Sequence, residues 1–145
     1  MEIDKAYLFN IDTALLAKRV VVRRFREKEG AKLHQLIQDN YTMIHDVLPV
    51  TVSECASLKS AEFYVRKKIA KWLLDEEYCF GIWETGSAEL IGFIEIFDIE
   101  WRIPKGEITF FIDQKFKGNG IMTEALREIV EFSFDQLLLE KISFR

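Results

Sequence analysis

Two glycines, Gly118 and Gly120, stand in a short stretch between an apolar run at residues 108–112 and a helical pattern that extends to about residue 137. Backbone N–H groups in the first turn of a helix have no intrahelical partner, and the helix macrodipole adds partial positive charge there. Glycines let the chain turn sharply and let an anion approach the backbone. The pattern therefore predicts an anion site, of the kind that holds a phosphate-bearing ligand.

Polar groups around this loop also suit a phosphate-bearing ligand. The backbone of residues 117–122 offers N–H donors, the ammonium groups of Lys115 and Lys117 add positive charge, and the hydroxyl of Thr123 lies near the first helical turn. A Rossmann or P-loop protein would carry a richer glycine pattern or a Gly-Lys-Ser/Thr ending, and neither is present. A plain nucleotide-binding domain of those two types is therefore not indicated.

The elements that must position this loop form an α/β pattern with a mixed sheet. Strands are predicted at residues 19–25, 78–84, 90–97, 107–112 and from 141 onward, and helices at 29–40, 58–74 and from the glycine loop to about 137. Residues 41–50 are expected to be irregular and residues 98–105 to form a loop. The last helix should join two neighbouring parallel strands in a right-handed crossover. The glycine loop then lies beyond the carboxyl end of a strand, where ligands bind in such sheets.

Composition limits the function classes. The 145 residues are 49% hydrophobic and 30% charged, which suits a single globular domain, and the net charge of −4 argues against broad binding to nucleic acid or to an anionic membrane. No apolar run approaches the roughly 20 residues that span a bilayer, and residues 1–5 lack a signal-peptide pattern. Cys55 and Cys79 do not have a metal-binding spacing, so we expect reduced thiols, no metal and a cytoplasmic location.

Two segments resemble a known family. Residues 106–113 read Gly-Glu-Ile-Thr-Phe-Phe-Ile-Asp, and residues 116–126 read Phe-Lys-Gly-Asn-Gly-Ile-Met-Thr-Glu-Ala-Leu. They resemble the GNAT superfamily of acetyl-coenzyme A-dependent N-acetyltransferases. The Thr-Glu-Ala-Leu helix start and the early Arg-Arg-Phe strand resemble its RimJ/RimL branch, which acetylates the N-terminal amine of ribosomal proteins. The family loop begins with Gln or Arg, where this chain has Lys115. The resemblance covers about residues 19–145.

The resemblance implies acetyl-CoA as co-substrate, with its pyrophosphate at the glycine loop and its pantetheine arm paired with the backbone of the preceding strand. The expected contacts are Phe110, Phe111, Ile112, Lys115, Lys117, Gly118, Asn119, Gly120, Ile121, Met122 and Thr123.

Acetyl transfer requires a neutral amine, because an ammonium ion is not a nucleophile. An N-terminal amine titrates near pH 8, so a modest base is enough. Glu107 matches a Glu often found at that place in the RimJ/RimL branch and is the expected base, with Glu95 as second candidate. No activated nucleophile is evident, which favours direct transfer from the thioester. The acceptor is a primary amine, either a protein N-terminus or a small molecule.

Other polar and aromatic residues have a weaker claim. His34 and His45 are read as ordinary helix and loop histidines, although the resemblance implies that His45 borders the acceptor groove. Trp101 is read as a core or rim residue, with a wall of the acceptor cleft as its functional alternative.

Family members continue past the strand that begins at Lys141, so the resemblance implies a single domain over residues 1–145 that lacks the last family elements. Residues 1–18 are expected to be an N-terminal extension. An exposed C-terminal strand invites pairing with another chain, which makes a homodimer through that edge an expectation. The alternative function is a truncated, non-catalytic coenzyme A-binding or interaction module of the same fold.

Overall fold

A six-stranded mixed sheet organises the computed structural model, which describes residues 14–145. The strands are β1 (Ala14–Leu16), β2 (Val20–Arg24), β3 (Tyr78–Glu84), β4 (Leu90–Glu100), β5 (Lys105–Ile112) and β6 (Lys141–Phe144). The helices are α1 (Gly30–Asp39), α2 (Tyr41–Ile44), α3 (Pro49–Glu54), α4 (Leu58–Leu73) and α5 (Ile121–Asp135), and a 3-10 turn spans Gln114–Phe116.

The strands lie in chain order across the sheet, and each neighbouring pair is antiparallel except the last. Strand β6 pairs parallel to β5, and α5 connects the two. The parallel pair around the last helix is therefore confirmed, and so is the mixed α/β fold.

Alternation along β5 divides the core into two halves. Ile108 and Ile112 pack with Ile129 of α5 on one face of the sheet. Phe111 packs on the other face with Phe93 of β4, among residues of α1 and α4. Each large apolar side chain buried in this way stabilises the fold by about 1.5–3 kcal/mol. The sheet is thus covered on both faces. Strand β5 lies between these two packed layers and leads to the glycine loop.

The pairing between β5 and β6 stops before the end of β5. It runs from Lys105 opposite Lys141 to Ile108 opposite Phe144, and the backbone N–H of Arg145 donates to the carbonyl oxygen of Ile108 at 3.0 Å. Since backbone groups of a strand point alternately to the two sides, those of Phe110 and Ile112 point to the same side as those of Ile108. No described residue pairs with them there. The strand before the glycine loop therefore has an open edge.

The structure corrects several boundaries. Residues 41–50 are not irregular, because they hold α2 and the start of α3, which Pro49 begins at a first-turn position where its missing N–H costs nothing. Strand β4 continues past Phe97 through an irregular pairing in which Asp98 has a positive φ of 49°. Helix α5 ends at Asp135 instead of about residue 137.

The expected N-terminal extension over residues 1–18 is described from residue 14 onward. Its residues Ala14–Leu16 form β1 and pair with β2, while residues 1–13 lie outside the described part of the chain. Among the described helices, none has the length and apolar content that crossing a bilayer requires.

Candidate active site

The loop between β5 and α5 has the geometry of an anion site. Gly118 and Gly120 have φ of 81° and 82°, a left-handed conformation that suits glycine, and Gly120 is the N-cap of α5. No side chain caps the helix through this residue. The backbone N–H groups of Met122 and Thr123 lie in the first turn, and no described group accepts from them. The Asn119 side chain partly occupies the site, since its Oδ1 accepts from the Ile121 N–H at 3.3 Å.

Arg19 of the β1–β2 turn fixes this loop from the other end of the chain. Its Nη1 donates to the carbonyl oxygen of Asn119 at 2.8 Å, while its Nε and backbone N–H donate to the two carboxylate oxygens of Glu124. Partial burial raises the pKa of Glu124, but the hydrogen bonds and charge of Arg19 outweigh it and leave that pKa lowered. We call this contact set the Arg19 clamp. Sequence reasoning missed it, because nothing in residue spacing joins positions 105 residues apart.

A cleft of about 460 Å³, here the first cleft, runs along the open edge of β5 to the glycine loop. The predicted acetyl-CoA contacts that line it are Phe110, Phe111, Ile112, Lys117, Gly118, Gly120, Met122 and Thr123. Lining residues absent from the prediction are Met43, Ile44, Val47 and Phe116. Three of these lie in α2 or within three residues of its end. They were absent from the prediction because residues 41–50 were expected to be irregular.

The three remaining predicted contacts lie beside the first cleft and not in its wall. The Lys115 backbone N–H donates to the Asp113 carboxylate at 3.0 Å, which shapes the 3-10 turn. Ile121 is buried in the core under α5. The carbonyl oxygen of Asn119 is held by Arg19. These residues build the loop that the others present to the cleft.

Asn40 holds α2 against the site. This residue is 1% exposed, its Nδ2 donates to the carbonyl oxygen of Leu36, and its Oδ1 accepts from the Gln114 N–H at 3.0 Å. The end of α1 is thereby attached to the turn that follows β5. This bond places α2 beside the first cleft.

A second cleft of about 310 Å³ adjoins the first, and Val47 lines both. Its wall between α2 and α3 is apolar. Its floor is polar and comes from α4, β4 and β5. The lining residues are Val47, Leu48, Pro49, Val50, Thr51, Glu54, Tyr64, Lys68, Glu95, Phe97, Thr109 and Arg145.

Glu107 lies at the edge of this second cleft. It is cross-strand neighbour to Phe97, and one of its carboxylate oxygens is 3.2 Å from Nη2 of Arg145. Its side chain is 28% exposed, and it is not one of the lining residues although Phe97 and Arg145 are. The expected base therefore lies next to the cleft with its carboxylate in an ion pair.

Glu95 lies in the floor of the second cleft and belongs to a group that we call the charged cluster, composed of Lys68, Lys71, Glu77 and Glu95. The ammonium of Lys68 is 2.6 Å from Glu95 Oε1 and 2.5 Å from Glu77 Oε2, and that of Lys71 is 3.1 Å from Glu77 Oε1. Glu77 thus has two cationic partners, while Glu95 shares one.

The two carboxylates of the charged cluster differ in proton affinity. Burial and the nearby Glu77 carboxylate raise the pKa of Glu95 to about 7, although Lys68 opposes this. Burial also acts to raise the pKa of Glu77, but its hydrogen bonds with Glu95 and the two lysines prevail and leave it well below the usual range. Burial acts to lower the pKa of Lys68, and its two carboxylate partners raise it instead. A pair of carboxyl groups with separated pKa values is typical of acid–base sites.

The remaining candidates lie elsewhere. Nδ1 of His34 is 2.8 Å from the carbonyl oxygen of Cys55, and Nδ1 of His45 is 2.9 Å from that of Tyr41. Neither histidine lines the first or the second cleft. Trp101 donates to the carbonyl oxygen of Asp75 at 3.1 Å and likewise lines neither cleft.

Both thiols are free and buried. Burial raises the pKa of Cys55 to about 12 and that of Cys79 well above its usual value, so both remain protonated at neutral pH. Among the described residues no group of three or more His, Cys, Asp or Glu could hold a metal ion.

Comparison with known proteins decides the family. Residues 19–145 match the acetyltransferase (GNAT) domain. The chain belongs to the GNAT acetyltransferase family. Members of this family use acetyl-CoA as the acetyl donor.

Two relatives from Bacillus subtilis (strain 168) and one solved structure illustrate the similarity. The "Probable N-acetyltransferase YjcK" is 41% identical over 69 residues, which are 47% of this chain and 38% of YjcK. The "Putative ribosomal N-acetyltransferase YdaF" is 25% identical over 134 residues, which are 90% of this chain and 70% of YdaF. RimL, a ribosomal L7/L12 alpha-N-protein acetyltransferase in complex with coenzyme A, superposes with a TM-score of 0.75 at 20% identity, covering 83% of this chain and 67% of RimL.

Proposed function

We propose that this protein is an acetyl-CoA-dependent N-acetyltransferase that acetylates a primary amine. The observation that carries the proposal is the first cleft, which joins the open edge of β5 to the unpaired amides at the start of α5. That combination suits a ligand with a peptide-like arm at one end and a diphosphate at the other.

In this proposal the pyrophosphate of acetyl-CoA binds the N–H groups of the glycine loop and of the first turn of α5. Lys115 and Lys117 add positive charge, and the hydroxyl of Thr123 adds one hydrogen bond. The amides of the pantetheine arm pair with the backbone of Phe110 and Ile112, whose groups point to the unpaired side of β5. This arrangement directs the thioester toward Ile108 and Arg145, where the pairing of β5 with β6 ends.

Acetyl transfer then proceeds directly from coenzyme A to the amine. The amine lone pair attacks the thioester carbon, the N–C bond forms, and the C–S bond breaks. We propose that Glu107 takes the proton that nitrogen loses in this step, and that the proton ends on the sulfur of coenzyme A. A base in this role contributes about 10²–10⁴-fold to the rate. The buried, protonated thiols of Cys55 and Cys79 support transfer without an acyl-enzyme.

The acceptor is proposed to be a protein N-terminus, as in the RimJ/RimL branch, or else a small-molecule amine. Support comes from the descriptions of YdaF as a putative ribosomal N-acetyltransferase and of RimL as a ribosomal L7/L12 alpha-N-protein acetyltransferase. We further propose a cytoplasmic location, which agrees with two free thiols. The outer edge of β6, four residues long, is the proposed contact of a homodimer, which light scattering would test.

The alternative is a non-catalytic module that binds coenzyme A with the same sheet. The ion pair between Glu107 and Arg145 favours it, because this pair engages the expected base. One measurement tests both functions, and a second separates them. Calorimetry with acetyl-CoA should show binding under both, and release of free coenzyme A thiol in the presence of an amine should occur only for an enzyme. If acetyl-CoA at millimolar concentration does not bind, both readings fail.

A further inference from the structure

The charged cluster contains a buried ion pair between Lys68 and Glu95, from which the fold alone gains little. The side chains of Lys68 and Glu95 are 10% and 9% exposed, and they line the floor of the second cleft. A buried ion pair often stabilises a protein no better than apolar residues of the same size. Perturbed charged groups that face a cleft are therefore candidates for a functional site.

The second cleft is also in the right place for an acceptor. Glu95 is the cross-strand neighbour of Thr109, and Glu107 lies two residues before Thr109 on the same face of β5. Diagonal neighbours of this kind have Cα atoms about 7–8 Å apart, so one small group can contact both carboxylates. Val47 lines both clefts, so this place adjoins the first cleft, which is proposed to hold the thioester.

We propose that the second cleft binds the acceptor as an ammonium ion against Glu95, and that this carboxylate, positioned by Lys68 and Glu77, takes the first proton of the ammonium. The proposal rests on the proposed acetyltransferase function and adds the acceptor's charge state and the group that neutralises it. The acceptor class is a cationic primary amine attached to a small apolar body, because the opposite wall of the cleft consists of Val47, Leu48, Pro49 and Val50.

The protons balance over two steps. First an N–H bond of the ammonium breaks as an O–H bond to Glu95 forms, and the nitrogen keeps the lone pair. The neutral amine then attacks the thioester, and the second proton passes to Glu107 and on to the sulfur of coenzyme A. Glu95 returns its proton to solvent through the open cleft. A proton on Glu95 is stabilised by the adjacent Glu77 carboxylate, which pairs with Lys71 and also with Lys68, the cation that it shares with Glu95.

The surroundings of Glu95 define what else could titrate with it. The charged and titratable groups that line the cleft or contact the charged cluster are Glu54 of α3, Tyr64, Lys68 and Lys71 of α4, Glu77 and Cys79 at the start of β3, Glu107 of β5, and Arg145. Burial raises the pKa of Tyr64 and of Cys79, so both stay neutral between pH 6 and pH 8.

Acceptor binding can be measured without turnover. The probe is the tetrapeptide amide Ser-Ala-Ala-Ala, titrated by calorimetry into the protein saturated with coenzyme A, which carries no acetyl group. With a Glu95 pKa of about 7 and an amine pKa near 8, the product of ionised carboxylate and ammonium fractions rises about fivefold from pH 6 to pH 7. We expect the association constant to rise by the same factor, and Glu95→Gln to remove both the rise and most of the affinity.

Glu89→Gln is the control, since Glu89 is exposed in the turn between β3 and β4 and lines neither cleft. It should keep the fivefold rise. Lys68→Met should move the rise in the association constant to higher pH, because the pKa of Glu95 increases when its cation is lost. Lys68→Arg keeps the positive charge and should return the rise to its original pH. A purely structural lysine would leave the pH profile unmoved.

Opposite outcomes overturn the proposal. They are an association constant that does not change with pH in the unmodified protein, an unchanged pH profile in Glu95→Gln, an equal loss of affinity in Glu89→Gln, or no peptide binding by a protein that binds coenzyme A. The first of these needs no variant, so the proposal stays testable even if Glu95→Gln does not fold. Coenzyme A binding is read separately in the same calorimeter. Its failure would refute the proposed function, and a protein that binds coenzyme A but not the peptide would refute only this inference.

Discussion

Gly118→Leu should weaken acetyl-CoA binding far more than it weakens the fold. Gly118 has φ of 81°, and a Cβ built there meets no atom within 4 Å. The substitution therefore causes no overlap in the free protein, and its cost is the left-handed backbone, about 1–2 kcal/mol. For a domain of this size that lowers Tm by about 3–6 °C.

Binding is affected through the first cleft, which Gly118 lines. A leucine side chain there keeps the pyrophosphate away from the loop amides. Losing two hydrogen bonds to a charged group, at about 1.5 kcal/mol each, costs about 3 kcal/mol and raises Kd about 150-fold. Calorimetry with acetyl-CoA measures Kd, and a thermal melt of the same sample measures stability.

Two matched variants separate backbone strain from bulk. Gly118→Ala has the same backbone cost as Gly118→Leu but a smaller side chain, so it should lose the same stability and less affinity. Gly86→Leu, in the β3–β4 turn, also has open space around its Cβ and should change neither quantity. If Gly118→Leu is folded and its Kd stays within about threefold of the unmodified protein, the loop does not hold the diphosphate and the reasoning is refuted.

Other substitutions test the remaining parts of the site. Glu107→Gln should lower kcat by about 10²-fold or more while the Kd of acetyl-CoA is unchanged; full turnover would remove Glu107 as base. Arg19→Met removes the side-chain bonds of the Arg19 clamp, so the glycine loop should become less ordered and the Kd of acetyl-CoA should rise by about tenfold. Lys18→Met is the control, and equal effects of the two substitutions would contradict a role of the Arg19 clamp in binding. Because the folded-state pKa of Glu95 is raised, its contribution to stability is full below its unfolded value of 4.5 and is lost as pH rises to about 7, so Tm should fall over this interval in the unmodified protein. Glu95→Gln should not show this fall, and the lowered pKa of Glu77 should affect Tm only as pH drops below 4.5.

The glycine loop and the strand before it could be predicted because their determinants are local. A left-handed glycine, a helix start and an apolar run each act within a few residues, so Gly118, Gly120 and β5 follow from spacing alone. Helix α2 could not be found in this way. It has four residues, too few for a periodic pattern, and Asn40 holds it in place through a hydrogen bond to Gln114.

The sequence indicated only one member of the charged cluster. Glu95 stood out as a carboxylate among apolar residues of one strand, but its partners Lys68 and Glu77 lie in separate elements that only the folded chain brings together. Glu107 was recognisable by resemblance, whereas its ion pair with Arg145 depends on the parallel pairing of β6 with β5. Local chemistry was thus predictable and long-range electrostatics was not.

Arg19 joins the glycine loop to a distant corner of the sheet. Besides its bonds to Asn119 and Glu124, its carbonyl oxygen accepts from the N–H of Thr85 in the turn after β3 at 2.9 Å. A ligand that orders the loop should therefore slow amide hydrogen exchange at Arg19 and Thr85, because coupling between two sites is reciprocal. Hydrogen exchange at these two residues would then show whether a ligand is bound at the glycine loop.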